Sequence, residues 1–181
     1  MLDSLRTRAE TRRKAGEIYG AVVTQARMEG FYADLGVPDT PVGRFEMVAL
    51  HLFLALEGLR KAGAPEALSR MLVEAFVIDM DDSLRELGTG DLSVPKKVKR
   101  AAAAFYERNM AYRGALDAAD ADLLAGALTE YVYAGAPVVE AGELARYVRR
   151  AGAALARADA ADVLAAGRGF VPVEGAKGEG A

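Results

Sequence analysis

The stretch PVGRFEMVALHLFLALEGLRK, residues 41–61, decides the fold of this chain. Thr40 and Pro41 supply an N-cap and a first-turn proline, so a helix begins here. Its main apolar stripe comprises Phe45, Ala49, Leu52, Leu56 and Leu59. Leu50 and Phe53 lie on a second apolar side, between two glutamates. A helix that is apolar on more than one face is either enclosed by other helices or offers a surface to a partner.

The rest of the chain also has a helical pattern. Alanine, leucine, glutamate and arginine recur at helical spacing, and alternating β-branched residues are scarce. Glycines and prolines separate the segments. The expected helices span residues 4–32, 41–61, 65–87, 94–116, 120–134, 139–157 and 159–166. The pattern predicts an all-α fold, a single compact domain of about six or seven helices.

The ends of the chain differ from its helical body. Residues 1–14 are rich in arginine and precede the first apolar stripe, so we expect a basic helix extension there. Residues 15–168 should form the helical domain. Residues 169–181 should form an extended, largely disordered tail, because the last eight residues are glycine-rich and polar.

The amino-acid composition excludes several classes of site. The chain has no cysteine, which removes disulfides, thiolate metal sites and cysteine nucleophiles. Its 26 acidic and 23 basic residues give a net charge of −3, so no overall field attracts DNA. The amino terminus has no signal-peptide core, and the longest apolar run, residues 47–56, is about half a bilayer span. These features predict a soluble, cytoplasmic protein.

The single histidine, His51, gives little support for metal binding or catalysis. Without a second histidine or a cysteine, neither a metal site nor a nucleophile–histidine–acid arrangement is complete. No phosphate-binding glycine motif is present either, so we expect no enzyme activity and no cofactor. A histidine among apolar residues is typical of a core position with one satisfied nitrogen. The alternative is a helical haem- or small-molecule-binding protein that uses His51 with Phe45, Phe53 and Tyr106.

Acidic residues crowd the segment DMDDSLRELGTGD, residues 79–91, which holds five acids and one arginine. Asp81 and Asp82 lie within three or four positions of Arg85, so local ion pairing explains them better than acid–base catalysis does. Asp79 falls on the inward face of its helix, where an unpartnered carboxylate is costly. We therefore expect Asp79 to be a structural anchor, held by an arginine, a lysine or a capping donor from another element. Arg85, through its local ion pairs, is the second expected structural anchor.

Basic residues follow directly, after a glycine turn. Lys96, Lys97, Lys99 and Arg100 lie in the first turns of the next helix, where the helix dipole disfavours positive charge by about 0.3 to 1 kcal/mol each. Two explanations remain open. The bases either lean back onto the preceding acids and clamp the turn, or they bind an acidic partner.

Three stretches of the sequence resemble a known family. FYADLGVPDTPVGRFEMVALHLFL (residues 31–54), FVIDMDDSLRELGTGDLSVPKKVKR (76–100) and AFYERNMAYRGAL (104–116) are similar to the ubiquinol-cytochrome c chaperone family, in its bacterial form. The resemblance covers about residues 15–165. Mitochondrial members of that family assist cytochrome b during assembly of respiratory complex III.

The resemblance implies an all-helical, non-enzymatic assembly factor that binds newly made cytochrome b. The ribosome, a small partner protein and the inner-membrane surface are further candidate partners. The basic opening of the first helix would suit ribosomal RNA or anionic lipid. A client helix needs an apolar groove, for which Met47, Leu50 and Phe53 are candidates, although they equally fit the protein's own core. Lys96, Lys97 and Arg100 are the candidate basic contacts. The expected location is cytoplasmic, with peripheral attachment at the cytoplasmic face of the inner membrane.

Overall fold

The computed structural model of the chain describes residues 2–86, 93–118 and 120–173. These residues form eight helices and no strand, so the predicted all-α class is confirmed. The helices are α1 (Leu2–Ala26), α2 (Glu29–Ala33), α3 (Pro41–Lys61), α4 (Glu66–Glu86), α5 (Val94–Asp117), α6 (Ala121–Tyr131), α7 (Glu140–Leu155) and α8 (Ala160–Ala165).

Helix α3 begins as its sequence predicts. The Thr40 hydroxyl accepts a hydrogen bond from the Gly43 amide at 3.1 Å, and Pro41 occupies the first turn, where its missing N–H is not needed. The preceding loop passes so close to the backbone at position 43 that only glycine fits there. A Cβ atom there would lie 1.9 Å from the Pro38 carbonyl oxygen, well inside van der Waals contact.

Helix α3 is enclosed by the others and forms the centre of the core. It packs against α1, α5, α7 and α8. Every residue from 46 to 59 is buried except Val48 and Leu56, which are partly buried. Helices α1 and α4 pack together, α4 packs on α5, α5 on α6, and α6 on α7. Helix α3 is therefore apolar on more than one face because other helices of this chain enclose it.

The first predicted helix, residues 4–32, divides into α1 and α2. The backbone of Met28 is extended, with φ −60° and ψ 130°, and this interrupts the helical hydrogen bonds. The break places Phe31 in the core, where its ring lies 5.1 Å from the His51 ring and 4.9 Å from the Tyr147 ring. Burial of this aromatic side chain outweighs the gain from continuing the helix.

The opening of α1 is a continuous part of that helix, with no break at position 14. Lys14 Nζ lies 2.6 Å from Asp162 Oδ1, so one base of the predicted extension ties α1 to α8. The described side chains from Arg6 to Glu10 are exposed. The basic extension is thus the first part of α1, and it contacts the rest of the domain at Lys14.

Residues 169–173, which the sequence assigns to a largely disordered tail, are extended but lie against the helices. The Phe170 ring is 5.3 Å from the His51 ring, and the Val171 carbonyl accepts a hydrogen bond from Gln25 at 3.1 Å. Val173 packs beside Gly30 of α2. Three apolar side chains in five residues explain this docking, because they bury surface that a polar tail would leave in water. Residues 174–181 lie outside the described part of the chain.

Substitution of Gly43 by alanine should destabilise the fold. The new Cβ would collide with backbone, which cannot move aside as a side chain can, so we expect a loss of about 1 to 3 kcal/mol in the free energy of unfolding. Gly20→Ala is the matched control, because no atom lies within 4 Å of its added Cβ and it sits inside α1. Urea denaturation should show Gly20→Ala gaining about 0.5 to 1 kcal/mol. Equal effects of the two substitutions would contradict this account.

Candidate functional site

A chain of hydrogen bonds runs through His51 at the centre of the fold. His51 is fully buried; its Nδ1 lies 2.7 Å from the Met47 carbonyl and its Nε2 lies 2.8 Å from the Tyr147 hydroxyl. Because a carbonyl only accepts, Nδ1 carries the proton, and Nε2 accepts from Tyr147. Gln25 donates to the Tyr147 hydroxyl at 3.1 Å and also to Val171. The network joins α1, α3, α7 and the carboxyl-terminal segment.

This arrangement leaves His51 without a free nitrogen. Burial lowers the pKa of His51 to about 4, against an ordinary value of 6.5, so the ring is neutral at physiological pH. The rings around it belong to Phe31, Tyr147 and Phe170. A haem iron would have to displace Tyr147 to reach Nε2, and such displacement would take from the buried Tyr147 hydroxyl the acceptor of its proton.

Two buried carboxylates on α3 hold α5. Glu46 forms a two-pronged ion pair with Arg108, in which both nitrogen–oxygen distances are 2.6 Å. The Arg108 guanidinium also donates to the Ala104 carbonyl and lies 4.6 Å from the centre of the Tyr131 ring. Burial raises the pKa of Glu46, while the Arg108 hydrogen bonds oppose that shift. This pair therefore fixes α5 against α3 at a poorly solvated contact.

Glu57, three turns further along α3, makes the second connection. It accepts hydrogen bonds from Arg113 of α5 and from Arg60 of its own helix. Burial alone would raise the pKa of Glu57, but the bonds from the two arginines lower it. Because Arg113 is 41% exposed, this pair sits nearer to solvent than the Glu46 pair. Together the two glutamates set the position of α5 along α3.

Held in this way, α5 borders an open groove with α4. The groove has a volume of about 880 Å³, and Leu56 of α3 contributes to its lining. Three large apolar side chains on its walls are mostly exposed: Ile78 at 62%, Tyr106 at 60% and Met110 at 70%. Exposed apolar side chains that cluster around one concave surface mark a binding site more often than scattered ones do. The groove is the candidate functional site.

Comparison with known proteins agrees with this all-helical architecture. The family model described as ubiquinol-cytochrome C chaperone matches residues 33–170. The crystal structure of the Cbp3 homolog from Brucella abortus superimposes with a TM-score of 0.80 at 37% sequence identity, covering 96% of this chain and 98% of that one. A search among curated proteins found no significant match. The chain belongs to the ubiquinol-cytochrome c chaperone family.

For this chaperone family member, no helix in the described residues combines the length and apolar character that a transmembrane span needs. Those residues also contain no group of three or more histidine, aspartate or glutamate side chains arranged to hold a metal ion. The groove is lined by apolar and charged side chains.

The structure encloses the three apolar candidates for partner binding. Met47 and Leu50 are 0% exposed and Phe53 is 1% exposed. Phe53 packs on Tyr112 at a ring distance of 5.5 Å, so its neighbours are residues of this chain. No exposed groove forms at these three residues, because other parts of this chain cover them. Contact between them and a client stays a prediction and would require the helices to separate.

The basic candidates Lys96, Lys97 and Arg100 are exposed at the start of α5. Ser93 precedes them and makes no side-chain capping bond. Lys97 already interacts with another group of this chain. The bases lie on the same helix as Tyr106 and Met110, and so at one end of the groove-forming element.

Asp79 has a partner from another helix, as expected, but the partner is a tyrosine and not a cation. The Tyr19 hydroxyl of α1 donates to Asp79 Oδ2 at 2.7 Å. Burial and the Asp79 hydrogen bond raise the pKa of Tyr19, which keeps the donor protonated. Arg85 pairs with Asp81 at 2.7 Å, so the local ion pair predicted there is confirmed.

Sequence reasoning missed Arg108 and Arg113 as the partners of Glu46 and Glu57. A signal was present, since the two glutamates lie eleven residues apart and therefore on one side of an otherwise apolar helix. Buried carboxylates require cations, and two arginines five residues apart follow on α5. The pairing itself depends on how α5 packs on α3, which helical periodicity does not determine.

The low pKa of His51 makes stability depend on pH. The unfolded chain binds a proton at an ordinary pKa of 6.5, while the folded chain resists protonation down to about 4. Stability therefore falls as pH decreases through this window, by about 3 kcal/mol from this residue alone. His51→Gln removes the titrating group, so its free energy of unfolding, measured by urea denaturation from pH 7 to 4, should fall less steeply. Parallel pH profiles for the two proteins would refute the role assigned to His51.

Removal of the Arg108 charge should strongly destabilise the fold. Arg108→Met leaves Glu46 buried without a cation, for which we expect a loss of about 3 to 5 kcal/mol. Arg113→Met is the matched control and should cost less than about 1 kcal/mol, because Glu57 keeps Arg60 and the site is partly solvated. The double variant Glu46→Met with Arg108→Met should recover most of the loss. Thermal unfolding of the four proteins checks the order, and a double variant no better than Arg108→Met would contradict it.

Proposed function

We propose that this chain is a non-enzymatic assembly factor that binds newly made cytochrome b and assists assembly of the ubiquinol-cytochrome c reductase complex. Membership of the chaperone family carries the proposal, because the family model spans residues 33–170 and so includes helices α3 to α8. Cytochrome b is the client that we assign on the basis of this membership.

The surface of the chain supports an association role. A newly made membrane protein presents apolar helices that need shelter before assembly, and a helix in a groove is a common mode of recognition. The groove between α4 and α5 offers Ile78, Tyr106 and Met110 for such contact. The bases Lys96, Lys97 and Arg100 stand as proposed partner-binding residues beside it.

The proposal places the protein in the cytoplasm, attached peripherally to the cytoplasmic face of the inner membrane. The exposed arginines Arg6, Arg8, Arg12 and Arg13 on α1 suit an anionic surface, since each base near such a surface adds about 1 kcal/mol of attraction. The ribosome is a further proposed partner, with the same basic helix as the candidate contact. A small partner protein is also proposed, on the basis of family membership. The haem-binding alternative has no comparable support, because both nitrogens of His51 already have partners.

Affinity purification from cells tests the proposed client. Tagged protein should recover cytochrome b during its synthesis, and deletion of the gene should lower the amount of assembled complex, measured by the reduced-minus-oxidised spectrum of b-type haem. Re-expression of wild-type protein should restore that spectrum. Normal complex levels after deletion, together with no recovered cytochrome b, would falsify the proposal.

A further inference from the structure

One base at the start of α5, Lys99, lies on the same face of that helix as two groove residues. Lys99 lies seven residues before Tyr106 and eleven before Met110. At about 100° per residue, both spacings return to within about 20° of the same direction. Tyr106 and Met110 are groove residues, and Lys99 is exposed. Positive charge therefore lies in line with the apolar wall of the groove.

Three bases at the start of α5 make no ion pair with the described part of the chain. Within residues 2–86, 93–118 and 120–173, no carboxylate lies within 4 Å of Lys96, Lys99 or Arg100. On α4, Asp81 is paired with Arg85. Because the amino-terminal end of a helix disfavours cations, the folded chain gains nothing from their position. Their charge is available to a partner.

The lining of the groove itself has no such bias. Its wall on α4 carries charges of both signs, Glu66, Arg70 and Glu74, while Arg60 and Arg113 are bound to Glu57. The bases of α5 lie beyond this lining, on the amino-terminal side of Tyr106. A partner that fills the groove and continues past Tyr106 toward the start of α5 meets an excess of positive charge there.

We propose that the groove between α4 and α5 binds an amphipathic helix of a partner protein whose apolar stripe ends in acidic residues. The apolar stripe would cover Ile78, Tyr106 and Met110, and the acidic end would meet Lys96, Lys99 and Arg100. The distance from Lys99 to Met110 along α5 is about 17 Å, which corresponds to about three helical turns of the partner. The inference rests on the proposed chaperone function and adds the location and chemistry of its binding site.

Binding of defined peptides to the full-length protein tests the inference. Three fluorescent peptides of about 18 residues would share one leucine stripe and differ only in their ends: glutamates at the carboxyl end, glutamates at the amino end, or lysines in place of the glutamates. One glutamate-ended peptide should bind about 10-fold more tightly than the lysine peptide, as expected for three exposed charge pairs. The preference should shrink as salt concentration rises.

Variants of exposed residues separate the two parts of the site. Met110→Glu should abolish binding of all three peptides, and Lys99→Glu with Arg100→Glu should reverse the preference for acidic ends. Val139→Glu is the matched control, because Val139 is 87% exposed and is not part of the groove lining. It should bind like wild type. All of these side chains are exposed, so the melting temperature should not change.

Three results would overturn the inference: equal binding of acidic and basic peptides, an unchanged preference in the Lys99→Glu, Arg100→Glu variant, or equal losses for Met110→Glu and Val139→Glu. Anionic phosphatidylglycerol vesicles give a further test. Vesicle binding that depends on the bases but not on Met110, without peptide binding, would assign the patch to lipid and also overturn it.

A parallel purification keeps this inference distinct from the proposed function. If wild-type protein recovers cytochrome b but no peptide discriminates, the groove chemistry is wrong and the function stands. If the peptides bind as expected but no cytochrome b is recovered, the client is wrong and the groove stands. Recovery of cytochrome b by Val139→Glu but not by Met110→Glu supports both.

Discussion

The rest of the structure depends on the burial of three polar side chains on one apolar helix. Glu46, His51 and Glu57 of α3 are withdrawn from water and each must find its partner inside the protein. Glu46 and Glu57 select arginines of α5, and His51 selects Tyr147 of α7. Apolar packing alone would allow the neighbouring helices to slide or rotate, but these directional contacts fix their register.

The register of α5 against α3 determines which side chains of α5 are exposed at the surface. Arg108 faces α3, and Tyr106 and Met110, about 160° away from it around α5, are therefore turned toward solvent and toward α4. Arg113 lies on the groove side of α5 and reaches Glu57 at the edge of α3. The groove therefore follows from the ion pairs beneath it. This arrangement separates stability from association, because the groove walls contribute exposed side chains that can meet a partner without opening the core.

The sequence predicted the class of fold and the position of α3 because helical periodicity, the Thr40 cap and Pro41 are local signals. It predicted less well what depends on packing between distant segments. Phe31 interrupts the first helix because a pocket beside His51 accepts its ring, and Phe170 converts the start of a predicted tail into docked chain. The sequence pattern does not distinguish whether a partner or the chain's own helices cover Met47, Leu50 and Phe53. The groove was missed since Ile78 and Met110 come from helices whose pairing is visible only in the fold.

The central claim is that a partner contacts the chain at the α4–α5 groove and not at α3. Photo-crosslinking in cells tests it most directly, with a photoreactive amino acid placed at Met110 or, for comparison, at Val139, which is even more exposed. The account predicts a crosslinked product with newly made cytochrome b from position 110 and none from position 139. Crosslinks from position 139 with none from position 110 would contradict it.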